Sequence, residues 1–442
     1  MAQKVMIFGA GLVSKPMVVY LAENGFEVTI GNRHLEKAAK LAKLHPNITA
    51  VQVDVTDDEL MNKLVVEHDI SVSLLPAVYH PIVAALCIKN KKNMVTASYV
   101  SPAMSELNDQ AVKAGIIILN EIGVDPGIDH MSAMKIFDEV KDKGGKIVSF
   151  MSYCGGLPAP KDNTNPLGYK FSWAPKGVLI AAGNNAQYLR DGEIVDVPGK
   201  NLFSHYWLVD IPGMGTYEAY PNRDSLSYIE TYGLEGIKTI YRGTFRNISH
   251  CETWYSLAQL GFFNKDGEVF DTRNMSVSEF IKTKMLGLAK DDCLKCAIAK
   301  KLNLNDSSIV LKKFQWLGFF DKDYQVPCEK GAAIDVLTAI MLEKMSYEPG
   351  ELDLLLMHHE FIAEYQDNTQ QRITSTMIDF GIPNGDTSMA RTVSLPAAIA
   401  VKMILDGKIT HKGVKRPIDR DVYLPVLAEL EEMNIKLVER FY

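Results

Sequence analysis

Hydrophobic and polar positions follow two different periods along this chain, and the switches between them divide it. Val5-Met6-Ile7-Phe8 is a continuous apolar run closed by Gly9 and Gly11, after which Met17, Val18, Leu21 and Ala22 recur at helical spacing. That order reads as buried strand, tight turn, helix. The exchange repeats through "FEVTI" (26–30), "ITAVQVDV" (48–55), "DISVSLLP" (69–76), "NMVTASYV" (93–100) and "GIIILNEIG" (115–123), with helical segments between. Strands alternating with helices predict an α/β class and a Rossmann-type doubly wound parallel sheet, here over residues 1–124.

After Gly123 the pattern changes. "DPGIDHMSAMKIFDEV" predicts a helix with Asp125 as N-cap and Pro126 at its first position. Long strand-like runs follow at 146–154, 351–365 and 371–381, the last two joined by the polar turn 366–370 as an antiparallel hairpin. An α+β substrate domain is therefore expected over 125–250 and 348–390. Between its halves, 251–347 reads as an inserted small helical subdomain, with Ile334, Leu337, Met341 and Met345 on one helix face. Ser394-Leu395-Pro396 opens a further helix that stops at Gly407, and residues 391–442 are expected to complete the first domain.

Composition narrows the partners. The 442 residues carry a formal charge of -7, so the chain offers no electrostatic footprint for nucleic acid or an anionic membrane. Small molecules are the expected ligands. Six scattered cysteines and a start that runs straight into a strand suggest a reduced, cytoplasmic protein. No apolar run approaches the roughly 20 residues of a membrane span.

The first turn carries chemistry. Gly9 permits it, Gly11 lets the backbone approach a pyrophosphate, and the following helix presents N–H donors and the positive end of its dipole. Where a third glycine is usual the chain has Ser14, small enough for close packing and able to donate to a phosphate oxygen. Past the second strand, where an Asp or Glu would bind a ribose, stand Asn32 and Arg33. A guanidinium without a carboxylate favours a 2′-phosphate and hence NADP over NAD, unless Arg33 is only the surface residue that opens the next helix. Ligands of such sheets bind beyond the strands' carboxyl ends, so Asp54, Val55, Leu75, Pro76, Ser98, Tyr99, Val124 and Asp125 face the expected crevice.

Farther on, the loop Ser152–Val178 is rich in Gly, Pro, Asn and aromatics and reads either as a ligand-lining surface loop or as a proline-stiffened connector. Arg223, Arg242 and Arg246 offer forked donors suited to a substrate with several carboxylates. Cys293-Leu294-Lys295-Cys296 has the spacing of half a zinc site without a second half, and reads as two thiols in a helical stretch. His358 and His359 point to opposite faces of a strand. No metal is expected.

Taken in order, "GAGLVSKP", "TASYVSPAM", "NEIGVDPGIDH", "SYCGGLPAPKDNTNPLGYKFSW" and "YPNRDS" resemble the saccharopine dehydrogenase family through nearly the whole chain. The resemblance implies NADP-dependent hydride transfer to or from an imine carbon, interconverting saccharopine with L-glutamate and 2-aminoadipate semialdehyde in lysine metabolism. It also implies three domains and a homodimer. On the residues that match, cofactor contacts fall on Gly9, Ala10, Gly11, Leu12, Val13, Arg33, Asp54, Val55, Leu75, Ser98, Val124, Asp125 and, in the loop, Trp173. Saccharopine contacts fall on Ser98, Tyr99, Asp125, Arg223, Thr244, Phe245 and Arg246. Tyr99, Asp125 and Cys154 are the candidates for the chemical step, with Asp125 held ionised at a helix N-terminus and serving to orient. A sister opine-type or carboxynorspermidine-type dehydrogenase, or a non-catalytic NADP(H)-binding sensor, are the competing readings.

Overall fold

The computed structural model describes residues 2–442. The chain divides into two compact units, residues up to 147 together with 363–442, and residues 148–362. The first holds a wholly parallel sheet of β1 (Lys4–Phe8), β2 (Glu27–Asn32), β3 (Ile48–Gln52), β4 (Ile70–Ser73), β5 (Asn93–Val95), β6 (Ile117–Leu119) and the late strand Gly413–Lys415. Across the sheet the order is Gly413–Lys415, β6, β5, β4, β1, β2, β3. That reversal on either side of β1 is the doubly wound Rossmann arrangement, and it puts the carboxyl ends of β1 and β4 side by side. Val5, Met6, Ile7, Ile70 and Val72 are wholly buried, as a sheet covered on both faces requires.

Two helix boundaries differ from expectation. The late helix runs Ser388–Leu405, one turn and more ahead of Ser394, because the Thr387 side chain accepts from the Ala390 N–H and caps it there. Pro396 therefore sits inside the helix. This helix is long and apolar enough to cross a membrane, yet most of it is buried in the unit's core. The helix after β6 begins at Ile128 with Gly127 as its N-cap, so Asp125 and Pro126 lie in the loop before it. Gly127 has φ +148°, and a Cβ there would fall 2.0 Å from the Gly123 carbonyl oxygen. A turn this tight postpones the helix and takes Asp125 off its terminus. The helix Ile128–Asp142 belongs to the first unit, where the Tyr423 hydroxyl donates to Asp138 at 2.5 Å.

The second unit is built on β7 (Lys146–Pro158), β8 (Ala186–Arg190), β9 (Glu193–Val197), β10 (Trp207–Ile211), β11 (Gly215–Pro221), β12 (Thr239–Arg246) and the strand Asp353–Glu364. Its sheet is mixed: β12 runs parallel to β7 and antiparallel to β11. The helices between His250 and Lys344 do not form a separate core; Trp254, Ile298, Phe314 and Leu337 share one buried cluster with Tyr153, Tyr241 and Leu356 of the sheet. The second arm of the late hairpin, Gln370–Phe380, lies in the first unit and pairs antiparallel with Leu437–Phe441. Its turn is closed by a Tyr365 N–H to Thr369 carbonyl bond.

Candidate active site

In the first unit, the turn after β1 has the shape of a phosphate cradle. Gly9 has φ +114°, and a Cβ there would come within 2.9 Å of the Leu74 carbonyl oxygen. Gly11 is the opposite case, exposed, with nothing of the protein within 4 Å of where a Cβ would stand. What a side chain at Gly11 would obstruct is a ligand. Ala10 is buried, Leu12 points outward and Val13 is half-buried, while Ser14 caps the helix with no side-chain bond to its N–H groups. The Ser14 hydroxyl instead donates to the Gly11 carbonyl at 2.8 Å and is wholly buried. It braces the turn and is unavailable to a phosphate oxygen.

Arg33 is exposed at the end of β2 and makes no ion pair among the described residues. Its charge helps hold the nearby Asp54 carboxylate below its usual range, behind the larger effect of the Thr56 backbone and hydroxyl donors. Asp54, Val55 and Leu75 are half-exposed at the carboxyl ends of β3 and β4. The turn and the guanidinium thus fit a dinucleotide bearing a 2′-phosphate.

Ser98, Tyr99 and Asp125 are brought together by polar partners that sequence reasoning missed. His80, 1% exposed, bonds Ser73 at 2.8 Å through Nδ1 and Ser98 at 2.7 Å through Nε2. Burial pushes its pKa down to about 4, so it is neutral at physiological pH. The Tyr99 hydroxyl donates to Asp125 Oδ1 at 3.1 Å. Beneath them Glu121, with φ +58° and 1% exposed, accepts from the Val100 N–H, from Arg416 and from His130, each at 2.9 Å. Burial alone would raise its pKa, but His130 and Arg416 outweigh it and hold it at about 2. Asp129 accepts from the Gly127 N–H at 2.6 Å, fixing the loop that carries the buried Val124 and the half-buried Asp125. Asp125 is therefore a loop residue held by Tyr99, two positions ahead of the helix N-cap rather than at it.

The second unit assembles its candidates by strand register. Ser152 and Cys154 of β7 lie beside Arg242 and Thr244 of β12, and Glu218 and Tyr220 of β11 beside Arg246 and Thr244. Because side chains alternate across a sheet, these residues share one face. The other face carries Tyr153, stacked on Phe245 with ring centroids 5.1 Å apart, so Phe245 offers a ligand only its backbone. Arg242 is buried with its guanidinium 4.4 Å from the Tyr228 ring centre, and its backbone holds Asn222, so it braces the "YPNRDS" turn. Arg223 tops that turn, exposed, in the left-handed region at φ +56°.

Arg246 is different. Its guanidinium lies over the Tyr169 ring at 4.8 Å and donates once, to the Phe245 carbonyl, while Nε finds no partner. In the same unit, both ring nitrogens of His250, whose electrostatics Arg246 influences, Nε1 of Trp254 stacked on it, and the Ser172 hydroxyl are buried and likewise unpartnered. His250 stacks on Trp254 at 4.7 Å, and burial drives its pKa well below the usual value, so the ring is neutral. Buried polar groups in such number are satisfied by ordered water or a ligand. Of the segment expected as a loop over Ser152–Val178, the part up to Pro158 is strand β7 and Pro175–Ala181 is a helix; the stretch between them is largely a packed connector, pinned by Asn247 to the Gly168 carbonyl at 2.7 Å and by the Lys170–Glu351 ion pair. Trp173 stays half-buried against the core beside Gly177.

With that geometry in place, comparison with known proteins is informative. Residues 5–119 match the model of the saccharopine dehydrogenase NADP binding domain, and residues 123–435 that of the saccharopine dehydrogenase C-terminal domain. The chain is 38% identical over 98% of its length to "Saccharopine dehydrogenase (NADP+, L-glutamate-forming)" of Schizosaccharomyces pombe, covering 98% of that protein. To "Alpha-aminoadipic semialdehyde synthase, mitochondrial" of Bos taurus it is 38% identical over 98% of this chain and 47% of that one. The solved apo saccharopine dehydrogenase (L-Glu forming) of Saccharomyces cerevisiae is similar in structure, with a TM-score of 0.88, 38% identity and complete coverage of both chains.

Proposed function

This chain belongs to the saccharopine dehydrogenase family, and from that premise we propose that it is the NADP-dependent oxidoreductase that converts saccharopine, with water, into L-glutamate and 2-aminoadipate 6-semialdehyde, and the reverse. The observation that carries the reading is full-length similarity to enzymes of that name, joined to a glycine turn open at Gly11 and an unpaired Arg33. Bound there, NADP would supply the hydride acceptor for the carbon that becomes the imine.

The chain's own residues do the rest. Gly9, whose own N–H goes to the Gly31 carbonyl, shapes the turn; the N–H groups of Ala10 to Val13 would hold the pyrophosphate and Arg33 the 2′-phosphate, with Asp54, Val55, Leu75, Ser98, Val124 and Trp173 as further cofactor contacts. Asp125, held in place by the Tyr99 hydroxyl, receives the substrate's positively charged nitrogen and fixes its orientation. Arg223, Thr244, the Phe245 backbone and Arg246 take carboxylates, and the unpartnered buried donors of the same unit suit an acidic amino acid. Cys154 lines the same face. Asp125→Asn should lower turnover without removing a limb of the pH profile; loss of a limb would make Asp125 the proton carrier.

The test is reduced-nicotinamide absorbance on adding saccharopine with NADP, or with NAD, to the purified chain. Formation of NADPH with glutamate release supports the reading, and Arg33→Ala should narrow the preference for NADP. Tight NADPH binding without turnover would favour a sensor. Turnover only with other amino-acid and carbonyl pairs would favour a sister opine-type or carboxynorspermidine-type enzyme.

A homodimer in a reducing, cytoplasmic compartment completes the proposal. Ile378, Phe380 and Val438 are exposed on one face of the antiparallel pair 370–380 and 437–441, and Leu437–Phe441 is an edge strand. An apolar edge of that kind is a ready docking surface. Sedimentation of Phe380→Lys as a monomer would support it, and an unchanged mass would oppose it.

A further inference from the structure

The pair Cys293 and Cys296 belongs to none of these functions. In the structure their sulfurs are joined, with Cα atoms 5.3 Å apart and only two residues between them. Two separate thiols were expected, and the helix geometry explains the bond: Cys293 is the N-cap of Leu294–Lys301, so its side chain turns back over the first turn toward Cys296. The Cys296 N–H donates to the Cys293 sulfur at 3.3 Å. Both cysteines are exposed, whereas Cys87, Cys154 and Cys251 are buried and Cys328 is half-buried. Leu294 and Ile298, within and just beyond the ring, are buried in the unit's core.

These features separate a structural bridge from an exchangeable one. A ring this short removes little chain entropy, so the bond adds little to stability beyond what the two apolar anchors supply. Opening it leaves the helix docked. Its sulfurs are open to an incoming thiol, and the Cys293 thiolate left behind is favoured by the Cys296 N–H, the helix N-terminus and the neighbouring Lys295. A disulfide reachable by thiols in a reducing compartment is one that turns over.

We propose that Cys293 and Cys296 form a reversible thiol–disulfide exchange site whose reaction partners are small or protein-borne thiols and disulfides. In the oxidising direction the Cys293 thiolate attacks a partner disulfide such as glutathione disulfide; one S–S bond forms, one breaks, and a partner thiolate leaves and takes a proton. Cys296, having lost its proton to solvent, then attacks the Cys293 sulfur and expels the second partner thiolate. Two electrons pass from the protein to the partner. Reduction is the reverse.

The test uses the full chain equilibrated at graded ratios of glutathione to its disulfide, quenched in acid, alkylated and mapped by mass. The expected result is a peptide spanning 293–296 that converts between a bonded form and a doubly alkylated form while the protein stays folded. Cys296→Ser should accumulate one glutathione on Cys293, and Cys293→Ser should carry far less. A parallel arm with a thioredoxin-type dithiol protein distinguishes the source of the partner. A pair that stays bonded in the native protein under strong reduction, stays a dithiol under strong oxidation, or yields first place to Cys328 would overturn the proposal. None of these readouts depends on saccharopine turnover.

Discussion

The two groups of candidate residues, one in each unit, are finished to different degrees. In the first unit most polar groups near Ser98 and Asp125 have a protein partner, the buried Asn120 amide excepted: His80 joins Ser73 to Ser98, Tyr99 meets Asp125, and Glu121 gathers Val100, His130 and Arg416. In the second, Nε of Arg246, both nitrogens of His250, Nε1 of Trp254 and the hydroxyl of Ser172 are buried without one. Preorganised groups hold their geometry before any ligand arrives and need no rearrangement during reaction. Unpartnered buried groups are costly until something polar fills the space, so they favour a ligand that satisfies them and penalise one that does not. The first group would thus serve to hold position and the second to select a ligand, and each assignment can be tested.

The comparison breaks most readily at Glu121. Glu121→Gln leaves His130 and Arg416 facing a neutral amide, and loss of one partner of a buried charge pair costs about 3–5 kcal/mol, read as a lower denaturant midpoint. The pH dependence has a definite sign. The native pKa is depressed to about 2, so the stabilisation is complete above the unfolded value near 4.5 and is lost as pH falls from there toward 2. The variant should lack that decline.

Selectivity is tested next. Arg246→Met removes a charge-assisted donor worth about 1.5–3 kcal/mol, so KM for saccharopine should rise on the order of 10- to 150-fold with NADPH affinity unchanged. A rise in both would show that the variant had disturbed more than the carboxylate contact.

How much of this was legible in the sequence follows from the range of each signal. The parallel strands, the glycine turn and the late hairpin declare themselves through local periodicity, and they formed at the expected places. Helix starts depended on what lay across a turn. Asp125 read as an N-cap because Asp-Pro commonly opens a helix, but the Gly123–Gly127 approach is a steric fact that no pattern displays. His80, Glu121 and Glu218 were invisible for a related reason: each gains its meaning from a partner distant in sequence. A histidine after "LLPAVY" carries no mark of the serine 18 positions away that it will hold.

Lys313 is a smaller test of the second unit. It is 1% exposed on the helix Ile309–Trp316, and its ammonium donates to the Ser249 carbonyl at 2.8 Å and hydroxyl at 2.7 Å. From the other side Glu218 accepts from the Ser249 and Cys251 N–H groups at 2.6 and 2.7 Å. Together they fix a left-handed residue, φ +68°, three positions beyond Arg246. Lys313→Met should therefore raise KM for saccharopine about 5- to 10-fold with little change in kcat, and Lys313→Arg should recover part of it. Equal losses in kcat and kcat/KM would instead mean that the brace acts on the transition state.

The mildest change is expected at His80, where the first unit's preorganisation is tested directly. His80→Leu keeps the site filled with an apolar side chain but deprives the Ser73 and Ser98 hydroxyls of their partner, at about 1 kcal/mol for each bond. Ser98 is half-exposed and can turn to water, so turnover should fall by a factor of only a few, with the bell of the pH–rate profile unmoved. The neutral ring has a native pKa of about 4 against 6.5 when unfolded, so below pH 6.5 the unfolded chain binds the additional proton. Stability of the unaltered protein must fall as pH drops from 6.5 toward 4, and the variant should show a shallower slope, the buried His68 and His250 keeping their shares. If the slope is undiminished in His80→Leu while turnover falls as described, those other histidines supply it; if turnover is unchanged, Ser98 is held by its strand end alone and the His80 bridge contributes nothing to the geometry of the site.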